Sequence, residues 1–399
     1  MTEEVRLKTL SIDELEIGMF VTTVMLKHSK TKVKNQGRVN SQSTIMSLKK
    51  QGVTQVIIKL ESDKEQNKNL TAKEEKLSTA ESVTLPCSLN EEFSRSCEIY
   101  DDSNKKIQDL FNQAKSQKNL SPQAISLLAS EITNSVIRNQ YAITILTRIR
   151  HHSTYQWEHA TNCAILVCGF ALFLGLNKET AEKMTLGALL HDIGVAKIPK
   201  GIIEKPDKLT INEMDIVKKH LAWGHQLCKK DGFNDPIIMD MLINHHERLD
   251  GSGYPRGLKK EKLSKLARIT AIIDVYDAVT GDKAYKKGQQ PINALRYLLA
   301  EKGKFDQQLV QQFIKYLGVH PVGSLVKLSN DKIAIVVEGN RADPLKPKVK
   351  IFYSLKLQNY INSKDCDLSL VAITIVGSAR AEDYNINIAK VIHDIANKA

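Results

Sequence analysis

The chain has 399 residues, enough for two or three domains and at least one full hydrophobic core. Its 42% hydrophobic and 26% charged residues are ordinary for a globular protein in water, and its formal net charge is +12. The lysines are scattered, with no stripe of basic and aromatic residues. This argues against a polynucleotide partner and leaves a solvated surface whose field favours a small anionic ligand. Six cysteines without a CxxC pair read as reduced thiols of a cytosolic protein. The first residues, MTEEVRLKTLSIDEL, lack the basic start and apolar core of a signal peptide. The most apolar run, Cys163 to Leu176, is too short to cross a bilayer. A cytoplasmic protein without membrane attachment is expected.

Residues 1–60 read as a small α+β unit, with strands at Val21 to Met25 and Gln55 to Lys59 and a short helix around Ile45 to Leu48. Residues 61–95 turn to Lys, Glu, Ser, Thr and Asn, the composition of a polar linker. A helical connector over 96–139 carries apolar stripes at Ile107, Leu110, Phe111 and Ala114, then at Ile125, Leu128, Ala129, Ile132 and Val136. Ser121-Pro122 provides a cap and an N1 proline for the second of these helices. The block 140–318 is helix after helix. Thr210 to Glu213 is a capping box for a helix expected to carry His220, and Asp235-Pro236 starts one expected to carry His245 and His246. Residues 319–399 change to short β-like runs at Ser324 to Leu328, Ile333 to Val337, Val349 to Tyr353 and Leu368 to Val376. A final helix is expected over Ile386 to Ala396.

Chemistry concentrates in the helical block. His191-Asp192 lies in LLHDIG, and HHERLDGSGYP follows from His245 to Pro255. Ionisable residues in apolar helical sequence are paired or bind a metal, and this density points to a polynuclear metal site. Neighbours on a helix diverge by about 100°, so His191-Asp192 and His245-His246 suit two adjacent ions better than one. Asp192 has two oxygens and can bridge them. Asp274, in the apolar run Leu266 to Val279, costs several kcal/mol to bury without a counter-charge. His159 and His220 are placed to face the same centre. Imidazole and carboxylate without thiolate suit Fe or Mn and tolerate other divalent ions. Two metals roughly 3.5–4 Å apart are a device for in-line attack on phosphate esters. The second histidine-aspartate pair, His393-Asp394, has no such company.

The strings HDIG to Pro199, KPDKLT (Lys205 to Thr210), HHERLDGSGYPRGL (His245 to Leu258) and ARITAIIDVYDAV (Ala267 to Val279) closely resemble the HD-GYP domain. This is a branch of the HD metal-dependent phosphohydrolases whose active members hydrolyse cyclic di-GMP. LKTLSIDELEIGMFV and LKKQGVTQVII also resemble an uncharacterised N-terminal domain often fused to HD-GYP units. The resemblance implies a mainly α multidomain protein, with an all-helical HD-type bundle at 140–318 between a small α+β domain and a β-rich appendage. It implies His159, His191, Asp192, His220, His245, His246 and Asp274 as ligands of a binuclear Fe or Mn centre, with Asp192 bridging and Asp277 in support.

Asp250, Gly251, Gly253, Tyr254 and Pro255 would wall the substrate pocket, and Lys283, Tyr285 and Lys286 would contact phosphate. Asp192, Lys283 and Lys286 would be catalytic. The implied reaction is hydrolysis of cyclic di-GMP to pGpG, GMP or both, with a metal-bridging hydroxide as nucleophile. Three departures stand out. Val195 replaces the lysine usual after HDIG, with Lys197 two residues on. Lys283-Ala284-Tyr285 replaces RPY. Tyr155 replaces the glutamate that trinuclear members carry one turn before the first histidine, which favours two metals. A catalytically weak scaffold that binds cyclic dinucleotide or a diguanylate cyclase domain, and a phosphodiesterase for cyclic GMP-AMP, are the alternatives. A homodimer is left open.

Overall fold

The computed structural model describes residues 7–16, 19–26, 32–33, 37–39, 45–46, 48–49, 53–59, 86–116, 118–148, 155–205, 207–281, 287–340 and 342–396. The chain divides into two units, residues 1–85 and 86–399.

The first unit is an antiparallel sheet of β1 (Leu7–Ser11), β2 (Phe20–Leu26), β3 (Lys32–Val33), β4 (Gly37–Arg38) and β5 (Val53–Lys59), in the order β1-β5-β2-β3 with β4 also on β2. The two strands expected from the sequence are the centres of β2 and β5 and pair with each other, Val24 opposite Val56. Both side chains are buried beside Leu10, Ile12 and Ile58. The backbone is helical at Ile45, Met46, Leu48 and Lys49, as expected. Most of the polar linker, from residue 60 to 85, lies outside the described residues.

The second unit opens inside the stretch expected to be linker. Ser88 and Glu91 form a reciprocal capping box that starts α1 (Leu89–Lys115). The acidic, serine-rich composition hides this helix, although Phe93 is fully buried. In α2 (Pro122–Leu146), Pro122 takes the N1 position as expected, but the Ser121 side chain makes no capping bond. The helix bends at Asn139 (φ −157°, ψ 103°), whose side-chain Oδ1 accepts from the N–H groups of Tyr141 and Ala142 and so caps the second segment. Just before the bend, Arg138 donates to both oxygens of fully buried Glu92, at 2.6 and 2.7 Å, and locks α2 to α1.

The bundle continues with α3 (Tyr155–Phe173), α4 (Lys178–Leu190), α5 (Lys200–Ile203), α6 (Ile211–Lys218), α7 (His220–Lys230), α8 (Pro236–Asn244), α9 (Lys265–Thr280), α10 (Pro291–Ala300) and α11 (Gln307–Leu317). From Glu158 to Ala171 every residue of α3 is buried. Apolar all round, it is the central helix, packed by α1, α2, α4, α9 and α11. The Thr210–Glu213 box caps α6 as expected, but that helix ends at Lys218, and His220 starts a new one. Among the described residues, no helix is long and apolar enough to cross a membrane.

The C-terminal part is a second antiparallel sheet, β6 (Leu325–Leu328), β7 (Lys332–Glu338), β8 (Lys348–Ser354), β9 (Asn359–Asp367) and β10 (Ile375–Ser378), ordered β10-β6-β7-β8-β9 and followed by α12 (Ile388–Ala396). One sequence expectation changes here, and one strand, β9, was not foreseen. Leu368–Leu370 is a short 3₁₀ turn rather than the start of a strand, and the chain rejoins the sheet only at Ile375. The edge strand β9, NYINSKDCD, has no apolar alternation because it is largely solvent-facing. Ile333, Ile335, Val349 and Phe352 share one continuous core with Val310 and Phe313 of α11 and with α1–α4. Connector, bundle and appendage are thus packed as one body.

Candidate metal centre

Seven side chains expected at one centre do converge. His159 comes from the first third of α3, and His191 closes α4 with Asp192 in the turn behind it. His220 opens α7, His245 and His246 follow the end of α8, and Asp274 lies inside α9. The approach of the Asp192 turn to α7 depends on Gly194. A Cβ there would fall 2.0 Å from the carbonyl oxygen of His220 and 2.6 Å from the nitrogen of Gly224. Any side chain would push Asp192 and His220 apart.

The two oxygens of Asp192 face different histidines. Oδ2 lies 3.6 Å from His191 Nε2 and 3.9 Å from His159 Nε2. Oδ1 lies 3.3 Å from His220 Nε2 and 3.6 Å from His245 Nε2. Asp274 divides in the same way, with Oδ1 3.2 Å from His159 Nε2 and 3.9 Å from His191 Nε2, and Oδ2 3.6 Å from His246 Nδ1. The result is two half-sites, His159 with His191 and His220 with His245 and His246, joined by Asp192 and flanked by Asp274.

The imidazoles are already oriented for cations. Nδ1 of His191 donates to the Ala188 carbonyl at 2.7 Å, that of His220 to Val217 at 2.7 Å, and that of His245 to Met241 at 3.0 Å. Each of these bonds leaves the lone pair on Nε2, and all three Nε2 atoms are buried without a hydrogen-bond partner. An unsatisfied buried polar atom costs about 1–3 kcal/mol, and three aimed at the same two carboxylates have a simple remedy in positive ions between them. His159 is fixed differently, its Nδ1 paired at 2.8 Å with the buried carboxylate of Asp277. Burial pushes the His191 imidazole down to about 4, so it is neutral at neutral pH. Burial opposes ionisation of Asp192, but the surrounding imidazoles hold its carboxyl well below the usual range. Burial lowers His246 in the same way, but at His159 and His220 it is outweighed by the groups beside them, Asp274 and Asp277 for the first and Asp192 for the second, which raise both imidazoles, so a metal entering there displaces protons.

The centre opens at Asp192 and His246, whose side chains are 23% and 20% exposed, against none for His191 and His245. At this opening the Tyr254 ring lies over His246, with centroids 4.7 Å apart, and the Tyr254 N–H donates to the His246 carbonyl. The rest of the loop is held by contacts of its own. Asp250 is exposed, and its carboxylate accepts from the backbone and hydroxyl of Ser252. A Cβ on Gly253 would lie 2.4 Å from the Glu247 and Arg248 backbone, so only glycine fits. Gly251 and Pro255 flank these positions in the same loop.

Glu247 was missed from the sequence. It is buried, and its two oxygens accept from the N–H groups of Arg256 and Leu258, pinning the loop against α8. Its signal was a carboxylate inside HHE that had no ligand role. Cys163 was also missed. Its Sγ is 3.7 Å from His159 Nδ1, and burial pushes the thiol up to about 12, so it packs as a neutral group. Lys283, Tyr285 and Lys286, expected at the phosphate, lie outside the described residues, as does the Tyr155 side chain. His393-Asp394 falls in α12, and none of the seven converging side chains comes from that helix.

Against known proteins, the chain is 32% identical over 394 residues to the cyclic di-GMP phosphodiesterase PA4108 of Pseudomonas aeruginosa, covering 95% of this chain and 94% of that one. The chain belongs to the HD-GYP family. An HD domain is matched over residues 147–309, which carry all seven converging side chains. The other two parts of this HD-GYP protein also match families: a domain of unknown function (DUF3391) over 7–125 and a KOW domain associated with HD domains over 325–387. Two further relatives match shorter stretches of the chain. The cyclic di-GMP phosphodiesterase response regulator RpfG of Xanthomonas campestris is 40% identical over 145 residues, 36% of this chain and 38% of that one. The 3'3'-cGAMP-specific phosphodiesterase 1 of Vibrio cholerae is 32% identical over 166 residues, 41% and 38% respectively.

Proposed function

We propose that this chain is a cyclic di-GMP phosphodiesterase with a binuclear Fe or Mn centre, releasing pGpG, GMP or both. The carrying observation is the division of Asp192, one oxygen toward His159 and His191 and the other toward His220 and His245. One carboxylate placed in this way can join two cations, and the three unpartnered Nε2 atoms give those cations donors on both sides. Bound there, the ions would supply two adjacent positive charges, which acidify water and offset charge on phosphoryl oxygens.

The protein's own groups do the rest. Ala188, Val217 and Met241 carbonyls and the Asp277 carboxylate hold four imidazoles in fixed tautomers, so donors need not reorganise as charge develops. Tyr254 forms a flat wall at the open face beside His246, where a dinucleotide would enter. Lys283 and Lys286 are assigned to the nonbridging phosphate oxygens, with Tyr285 between them. Full-length similarity to a cyclic di-GMP phosphodiesterase favours that substrate over cyclic GMP-AMP.

The metal-loaded chain should be assayed in parallel on cyclic di-GMP, 3'3'-cGAMP and cyclic di-AMP, with products separated by chromatography. The highest kcat/KM is expected for cyclic di-GMP. A higher value for 3'3'-cGAMP would overturn the substrate assignment and leave the phosphodiesterase reading in place.

A further inference from the structure

Both tryptophans of the chain, Trp157 in α3 and Trp223 in α7, line a single cleft of about 720 Å³. That volume lies within the range of small-molecule sites. Phe111 of α1 extends the aromatic wall, its ring centroid 6.0 Å from that of Trp157. Lys115, Lys197 and Lys200 also line the cleft, all three exposed, with Glu204 the one carboxylate among its described residues. Trp157 and Trp223 are only half-buried.

The cleft adjoins the metal centre through the chain itself. Val195 lines it and donates its N–H to the Asp192 carbonyl at 2.9 Å, one 3₁₀ turn from the bridging carboxylate. Trp223 follows His220 by three residues on α7, one turn along the same face. Trp157 precedes His159 by two on α3. A cleft that combines aromatic rings with lysines fits a purine nucleotide, the base stacked on the rings and phosphate near the ammonium groups. In a cyclic dinucleotide each phosphate is one sugar away from a purine. Val195 and Trp223, each three residues from a member of the centre, set the cleft along the same two elements that would hold a phosphate there.

We propose that the cleft walled by Phe111, Trp157 and Trp223 is a purine subsite for the dinucleotide substrate, with Lys197 and Lys200 facing its non-reacting phosphate. This rests on the phosphodiesterase reading above. It also assigns substrate contact to α1, a helix that lies outside the matched HD domain.

Because both tryptophans line the cleft, intrinsic fluorescence reports its occupancy without turnover. The full-length, metal-loaded protein should be titrated with GMP, and with inorganic phosphate as a probe that lacks a base. GMP should quench emission saturably and phosphate should not. Trp223→Ala should weaken GMP binding and raise KM for cyclic di-GMP by about ten- to hundredfold, the range for loss of one base-stacking ring. kcat should change little, since stacking is equal in ground and transition states. Trp223→Phe should restore most of the binding. Lys197→Glu, at an exposed position that tolerates charge, should also raise KM. If wild type hydrolyses cyclic di-GMP, yet GMP leaves emission unchanged and KM is unmoved in Trp223→Ala and Lys197→Glu, the subsite is overturned and the phosphodiesterase assignment stands. If GMP quenches and Trp223→Ala weakens it, but no cyclic di-GMP is hydrolysed at full metal loading, the purine subsite stands and the phosphodiesterase assignment falls.

Discussion

Asp192→Ala is expected to strip most bound metal and to lower hydrolysis of cyclic di-GMP by more than about 10³-fold, beyond what loss of one electrostatic contact usually costs. The expectation follows from position. Asp192 alone places separate oxygens within 3.3 to 3.9 Å of four histidine Nε2 atoms. Its loss removes a donor from both half-sites, whereas loss of a single histidine would leave one half-site complete. The fold should survive, because Asp192 lies in the turn after α4 at the open side of the centre, its side chain 23% exposed, and is not part of the hydrophobic core. Metal content by mass spectrometry, turnover and a thermal melt of the metal-free forms check the three parts. His393→Ala, in a helix that supplies none of the seven converging side chains, should match wild type in all three. Full activity and metal stoichiometry in Asp192→Ala would remove the basis for a bridged centre.

Val195→Lys should raise kcat by about 10²-fold, the lower end of what a positioned acid or cation contributes. Leaving-group departure in phosphodiester cleavage puts negative charge on an oxygen, and valine offers neither a proton nor a charge. Val195 sits half-buried at the cleft that adjoins the centre, one 3₁₀ turn from Asp192. A lysine there can extend toward that opening, while Lys197, two residues on, is exposed. The wild type is therefore expected to be slow rather than inactive. The gain should appear in kcat more than in KM, since the new charge acts mainly in the transition state. Assays at saturating metal keep changes in occupancy out of the comparison. An unchanged or lower rate would mean that position 195 is not where the acid is missing.

Much of the centre was legible because its chemistry forbids camouflage. Asp274 in an apolar helix and His191-Asp192 at the end of another cannot be buried without partners, so composition alone exposes them. The strands of β2 and β5 and the helix starts at Thr210 and Asp235 were equally open to local reading, because capping and alternation are short-range signals. What stayed hidden depends on distant residues. Glu92 lies in the first turn of a helix in acidic, linker-like sequence, and its burial is explained mainly by Ser135 and Arg138, more than 40 residues later. Glu247 reads as one more charge until its two bonds to Arg256 and Leu258 N–H groups are seen. The edge strand β9 takes its pairing from β8 and so needs no apolar pattern of its own. The purine cleft is of the same kind, since Phe111, Trp157 and Trp223 come from three helices with no shared motif.

The most direct measurement counts metal and turnover on the same sample. The wild-type chain, purified without oxygen, should hold about two Fe or Mn ions per chain, the minimum for two-ion phosphoryl chemistry. Its hydrolysis of cyclic di-GMP should vanish on chelation and return in proportion to metal restored. Turnover that persists in metal-free protein, or three ions per chain beside Tyr155, would contradict the two-ion centre built on Asp192.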